Sequence, residues 1–114
     1  MALRATPRDA GQVTVVDLGG RIVLGDGSAL LRKTIRGLLE DQRRWILLNL
    51  ADVDYIDSSG IGELVSGYTA VKNQGGELKL LHLTKKVRDI LQITRLYTVF
   101  DVFSDEPTAV GSFR

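Results

Sequence analysis

Residues Trp45-Ile46-Leu47-Leu48-Asn49-Leu50 form an apolar run with almost no polar interruption. Soon afterwards the chain enters Tyr55-Ile56-Asp57-Ser58-Ser59-Gly60-Ile61-Gly62. An apolar run that does not alternate suits a central strand covered on both faces, as in a sheet with crossover helices. Beyond the corner, Ile61, Leu64, Val65 and Tyr68 recur at i, i+3, i+4 and i+7, the spacing of an amphipathic helix. A strand is therefore expected to deliver two hydroxyls and a carboxylate to a helix start. Unpaired N–H groups and partial positive charge at such an end favour an anionic group.

The surrounding chain extends this pattern. Gln12 to Leu18 is β-branched and reads as a strand. Gly19-Gly20 is a two-residue turn signal, and Arg21-Ile22-Val23-Leu24 a second short strand, so the two should pair as a hairpin. Gly25-Asp26-Gly27-Ser28 breaks the strand and offers capping groups to a helix with Leu31, Ile35, Leu38 and Leu39 on one stripe. Arg32, Lys33 and Arg36 fall off that stripe and should be solvated. The helix after the corner should stop at Gly75-Gly76, and Glu77 to Leu83 is the next strand. Thr84 suits the cap of a third helix burying Val87, Ile90 and Leu91. Val99 to Phe103 reads as an edge strand, and Ser104-Asp105-Glu106-Pro107 as the start of a short final helix over Ala109, Val110 and Phe113. Strands alternating with helices indicate an α/β domain whose sheet is mainly parallel, made mixed by the hairpin. Residues 1–114 read as one domain, with 1–11 a flexible polar lead.

Composition narrows the function classes. Lys and Arg number 15 against 14 Asp and Glu, a net charge of +1 that gives no general argument for nucleic acid or a membrane surface as partner. There is no cysteine, hence no disulfide and no thiolate metal site, as suits a cytoplasmic protein. The N-terminal residues lack the apolar core of a signal peptide, and no apolar run reaches the length of a membrane span.

The serine at the corner has three readings. As a cap, Asp57 or Ser58 would accept from an N–H of the first helical turn. As a nucleophile, Ser58 would need His82, the only histidine, as base, and the G-x-S-x-G elbow is absent. As a phosphoacceptor, Ser58 would gain roughly −1.5 to −2 charges and three acceptor oxygens. Phosphate at a helix start favours the domain's own helix, so the effect would fall on whatever docks there. The helix is rich in small residues. Gly60, Gly62 and Gly67 lie in or beside it, each interior one costing on the order of 0.5–1 kcal/mol against alanine. Ser58, Gly62, Ser66 and Thr69 share a face distinct from the apolar one. That face serves either an outside partner or a neighbouring element of the same domain. Asp52, Asp54 and Asp57 have a metal-loop look, but the glycine and glutamate of a calcium loop do not follow, and no phosphate-binding glycine loop occurs. Neither metal nor cofactor is expected.

The run Trp45 to Leu50, the acidic loop with Val53, and Tyr55-Ile56-Asp57-Ser58-Ser59-Gly60-Ile61-Gly62 resemble the signature of STAS domains. More narrowly, they resemble bacterial anti-sigma factor antagonists. The likeness continues through Gly75-Gly76-Glu77-Leu78-Lys79-Leu80, Val87-Arg88-Asp89-Ile90-Leu91, Thr94-Arg95-Leu96 and Phe100-Asp101-Val102-Phe103. It implies a mixed, mainly parallel sheet with an N-terminal hairpin and about four helices. It also implies a non-enzymatic binding module. The unphosphorylated form binds an anti-sigma factor that is itself a serine kinase, releasing the sigma factor; phosphorylation of Ser58 ends the complex, and a serine phosphatase resets it. The residues meeting the partner would be Asp26, Asp57, Ser58, Ser59, Gly60, Gly62, Glu63 and Ser66. One departure stands out. Family members carry Gly-x-Leu-Asp and a threonine-containing helix start after the second strand, whereas here Asp26 is displaced by inserted residues in Gly20-Arg21-Ile22-Val23-Leu24-Gly25-Asp26. Two other readings are a STAS scaffold that serves a transporter or signalling assembly without phosphorylation, and a small serine hydrolase using Ser58 and His82.

Overall fold

The computed structural model describes residues 2–114. Strand β1 (Arg4–Ala10) turns through Gly11-Gln12 and returns as β2 (Val13–Ile22). Then follow α1 (Asp26–Glu40), β3 (Trp45–Ile56), α2 (Ser58–Asn73), β4 (Glu77–Leu81) and α3 (Lys85–Ile93). A 3-10 turn at Leu96–Thr98, β5 (Val102–Phe103) and α4 (Glu106–Gly111) complete the chain. The five strands lie in the order of their numbers, with β1 antiparallel to β2 and the remaining pairs parallel. Strands added in one direction by right-handed crossovers place every connecting helix on the same face. Accordingly Leu31, Ile35, Leu64, Val71, Val87 and Leu91 from α1, α2 and α3 meet Val16, Ile46, Leu48, Leu50 and Leu80 in one core. The opposite face carries only α4, which covers Val13, Val15, Leu47 and Leu81 with Ala109 and Phe113.

The expected hairpin exists, but with other strands. Gly19-Gly20 is not its turn. Both lie inside β2 at irregularities of its pairing with β3. A Cβ on Gly19 would collide with the Arg4 guanidinium, and Gly20, at φ +105°, has Ala2 O against its Cα. The actual turn uses Gly11 at φ +66°. The residues expected to be a flexible lead instead form β1, paired along its whole length. Pro7 and the charges Arg4, Arg8 and Asp9 are tolerated because β1 is an edge strand, where a missing N–H and charged side chains block further pairing.

Two polar latches hold α4. Arg8 of β1 donates to Asp17 of β2 at 2.7 Å and to Glu106 of α4 at 2.6 and 2.9 Å, holding both carboxyls below their usual range. Lys79, buried in β4, donates to Ser112 O at 3.1 Å and Ser112 Oγ at 2.9 Å, with its ammonium 4.8 Å from the Phe113 ring. The burial cost of that charge is offset by its hydrogen bonds and the aromatic face. No helix among the described residues is long and apolar enough to cross a membrane.

Candidate functional site

The site is the junction of β3 and α2, built against the end of β2. Strand β3 runs six residues past the apolar run, to Ile56, so the acidic segment expected as a loop is strand. The last turn of the corner is set by Asp57, at φ −103° and ψ −175°. Its backbone N–H donates to Ile22 O at 3.2 Å. Its side chain uses both oxygens. Oδ1 accepts from Gly60 N at 2.9 Å, capping α2, and Oδ2 accepts from Leu24 N at 3.0 Å, tying down the loop that leads into α1. The Leu24 amide first, and then the Gly60 amide, hold the Asp57 carboxyl below its usual range. The cap is therefore Asp57, and Ser58 is released from that task. Ser58 is the first helical residue, exposed, and its hydroxyl bonds to no group among the described residues. Ser59 behind it is half-buried.

The other expected residues divide. Asp26 is the exposed first residue of α1, two residues after Leu24, whose amide Asp57 holds. It also places negative charge at the start of α1, whose N-cap, Gly25, brings no side chain to the task. Gly62 and Ser66 lie on the outer face of α2 with Ser58 and Thr69, all four exposed, and a Cβ on Gly62 would meet nothing within 4 Å. That face is open to solvent. Gly60 and Glu63 do not belong to it. A Cβ on Gly60 would collide with the Ile22 carbonyl oxygen and approach Ile56 Cγ1 to 2.6 Å, so this glycine lets the helix start close on β2. Gly67 likewise makes room for Ile35 of α1, whose Cδ1 lies 2.6 Å from the position of its Cβ. Glu63 is 9% exposed and accepts from Arg32 Nε at 3.0 Å as well as from Nη2. It joins α2 to α1 and borders a shallow depression together with Arg32 and Ser66. By helical geometry Glu63 falls beside Leu64 and Gly67 on the inward side, where only a paired carboxylate is tolerated.

His82 sits at φ +56°, just after β4, and lines a cleft with Thr84, Arg88, Phe103 and Ser104 that Ser58 does not border. No hydrogen bond joins the two residues, so Ser58 lacks the base that hydrolysis requires. Among the described residues no acidic or histidine cluster is arranged to hold a metal.

Three residues at this corner, Tyr55 of the motif and Arg21 and Leu24 of the loop that the resemblance places beside the serine, were not among the expected contact residues. Leu24 is 78% exposed and Tyr55 is 38% exposed, while Arg21, paired with Tyr55 across β2 and β3, stacks its guanidinium 5.1 Å from the Tyr55 ring centre. The signal for Leu24 was an apolar residue directly before a Gly-Asp-Gly break.

Fold and corner together match a known family. The STAS domain model matches residues 4–109, and the chain belongs to the STAS-domain family. The anti-sigma-B factor antagonist of Bacillus subtilis is 33% identical over 87 residues, 76% of this chain and 78% of that one. The crystal structure of an anti-sigma factor antagonist from Mycobacterium paratuberculosis superposes with a TM-score of 0.86 at 19% identity, covering 97% and 93% of the two chains. SpoIIAA of Bacillus superposes in its unphosphorylated form (TM-score 0.71, 16% identity, 95% and 96% covered). Its phosphorylated form does so equally well (TM-score 0.74, 18% identity, 95% and 97% covered).

Proposed function

We propose that this protein is an anti-sigma factor antagonist switched by phosphorylation of Ser58. The unphosphorylated protein docks its α2 corner on an anti-sigma factor that carries a serine-kinase site, and the sigma factor is released. The partner holds the nucleotide. Ser58 Oγ attacks the terminal phosphoryl group, loses its proton, and the nucleoside diphosphate departs. The added charge and bulk end the complex, and a serine phosphatase restores the hydroxyl. The role of this chain is to bind and to be modified, with no catalysis of its own, in the cytoplasm.

The observation that carries this reading is the division of labour at the corner. Asp57 spends both carboxylate oxygens on backbone amides, leaving Ser58 exposed and unbonded at a helix start. A phosphate there meets favourable partial charge from α2. The curated relative named an anti-sigma-B factor antagonist supports the partner class. That SpoIIAA has this fold in both its unphosphorylated and phosphorylated forms supports a phosphate tolerated by the domain.

The test combines calorimetry with intact-mass measurement. Purified kinase-type anti-sigma factors of the host are titrated with parent, Ser58→Ala and Ser58→Glu proteins, with and without ATP. The expected result is one added phosphate on the parent and none on Ser58→Ala. Ser58→Ala should keep parent affinity, and Ser58→Glu should bind more weakly at an unchanged Tm. Equal affinity of phosphorylated and unmodified protein for the kinase refutes the switch.

A further inference from the structure

We infer that Leu24, flanked by the Arg21–Tyr55 pair, is the anchor that seats Ser58 in its kinase partner; this rests on the function proposed above. The partner surface it fits has an apolar depression beside the phosphoryl-transfer cleft and a carboxylate within reach of Arg21.

Exposure of a single leucine is unremarkable by itself. Here three observations converge. Leu24 is 78% exposed yet held in place. Its amide donates to Asp57 Oδ2 at 3.0 Å, and the chain on either side is fastened by Ser28 N to Val23 O at 3.0 Å and Ser28 Oγ to Gly25 O at 3.3 Å. The main chain that carries this side chain has already lost much of the freedom that binding would otherwise have to remove. The carboxylate that fixes Leu24 is also the one that caps α2 directly before Ser58, so anchor and acceptor are positioned by the same group. On the adjacent rung of β2 and β3, Arg21 lies over Tyr55 and makes no ion pair among the described residues. Tyrosine and arginine are the residue types that most often carry binding energy at protein interfaces, and an unpaired arginine calls for an acidic partner group. An acceptor serine contributes little binding surface of its own. Affinity and orientation must come from beside it, and an apolar side chain on a fastened main chain, tied to the residue before Ser58 by one hydrogen bond, supplies both.

The experiment uses full-length protein and the purified kinase-type anti-sigma factor that binds the parent. Leu24→Ala is expected to weaken Kd about tenfold, the fold-change of losing most of a buried leucine side chain. It should raise KM for phosphorylation by a similar factor, with kcat at saturation and Tm unchanged. Leu24→Met should stay within about twofold of the parent. Ile93→Ala, at an equally exposed position (80%) on α3, is the control and should bind as the parent does. If Leu24→Ala binds and is phosphorylated like the parent, or if Ile93→Ala is equally impaired, the anchor is refuted while the switch at Ser58 stands. If no kinase-type anti-sigma factor of the host binds the parent protein, the proposed function fails and the anchor falls with it.

Discussion

Three glycines in one helix make a quantitative test of how the α2 corner is packed. Alanine at Gly62 meets no atom within 4 Å and the backbone there is helical, so the substitution removes only the helix-interior penalty of glycine, about 0.5–1 kcal/mol. Unfolding entropy is about 2.1 cal/mol/K per residue. Over 114 residues this makes 1 kcal/mol equivalent to about 4 °C in Tm. Gly62→Ala should therefore raise Tm by about 2–4 °C. Gly60→Ala introduces a methyl group against the Ile22 carbonyl oxygen and within 2.6 Å of Ile56 Cγ1. The backbone of β2 cannot swing aside as a side chain can. Overpacking outweighs the gain in helix propensity by about 2 kcal/mol, so Tm should fall by about 8 °C. Gly67→Ala meets the terminal Cδ1 of Ile35 at 2.6 Å, an atom that can rotate away, so the two effects should nearly cancel, leaving Tm within about 2 °C of the parent. Thermal unfolding followed by far-ultraviolet circular dichroism gives the three values. Gly62→Ala less stable than the parent, or Gly60→Ala as stable as Gly62→Ala, would refute this account of which helix face is covered.

Other consequences are as direct. Arg32→Ala strands the buried Glu63 carboxylate and should cost about 1–3 kcal/mol, whereas Glu63→Gln, which leaves the half-exposed Arg32 to water, should cost less; urea denaturation ranks them. Asp57→Ala removes a helix cap and should lower stability, with faster hydrogen exchange at both Leu24 and Gly60 amides, where loss of a simple cap would affect only Gly60. Arg8 holds the carboxyls of Asp17 and Glu106 below their ordinary values. The stability they contribute is thus present above about pH 4 and lost as the pH falls through their depressed native values. Protection factors at α4 amides should fall in that acid window, and Arg8→Gln should reduce the pH dependence to the part carried by Asp105, whose carboxyl is held low by Thr108 at the start of α4.

The parts of this fold that were legible in the sequence are those where burial imposes a period. The stripe Leu31, Ile35, Leu38, Leu39 and the alternate residues Ile46, Leu48 and Leu50 lie in the core under α1–α3, with Leu47 facing α4 on the other side of the sheet. Strand β1 was not legible, for a physical reason. Arg-Ala-Thr-Pro-Arg-Asp-Ala is an edge strand, mostly exposed, whose residues are chosen to resist further pairing and so carry no alternation. Its absence from the reading forced Gly19-Gly20 into the role of turn. Those glycines are needed instead because the Arg4 side chain and the Ala2 backbone lie directly against them. At the site, spacing identified the outer face Ser58, Gly62, Ser66 and Thr69. It could not sort the glycines, because Gly60 and Gly62 differ only in what lies above their Cα atoms. Glu63 shows the same limit: a carboxylate reads as exposed until Arg32 is seen beside it.

The placement of the cap on Asp57 bears on why a switch can live here at all. A domain of this size is held by a margin of only about 5–15 kcal/mol. Were Ser58 the cap, phosphorylation would exchange a bonded hydroxyl for a bulky dianion at the point that starts α2, and the helix would have to find a new cap. With Asp57 holding Gly60 N and Leu24 N, the phosphate adds to a corner already complete. Two opposing effects would then act on it: the helix end favours a phosphate, and the neighbouring Asp57 carboxylate repels it across partly screened space. On the function proposed above, their opposition would leave the stability of the domain little changed by phosphorylation. The free energy of the proposed modification would then be expressed at the surface around Ser58, where a partner that accepts a hydroxyl beside Asp57 would have to reject roughly two further negative charges in a desolvated contact.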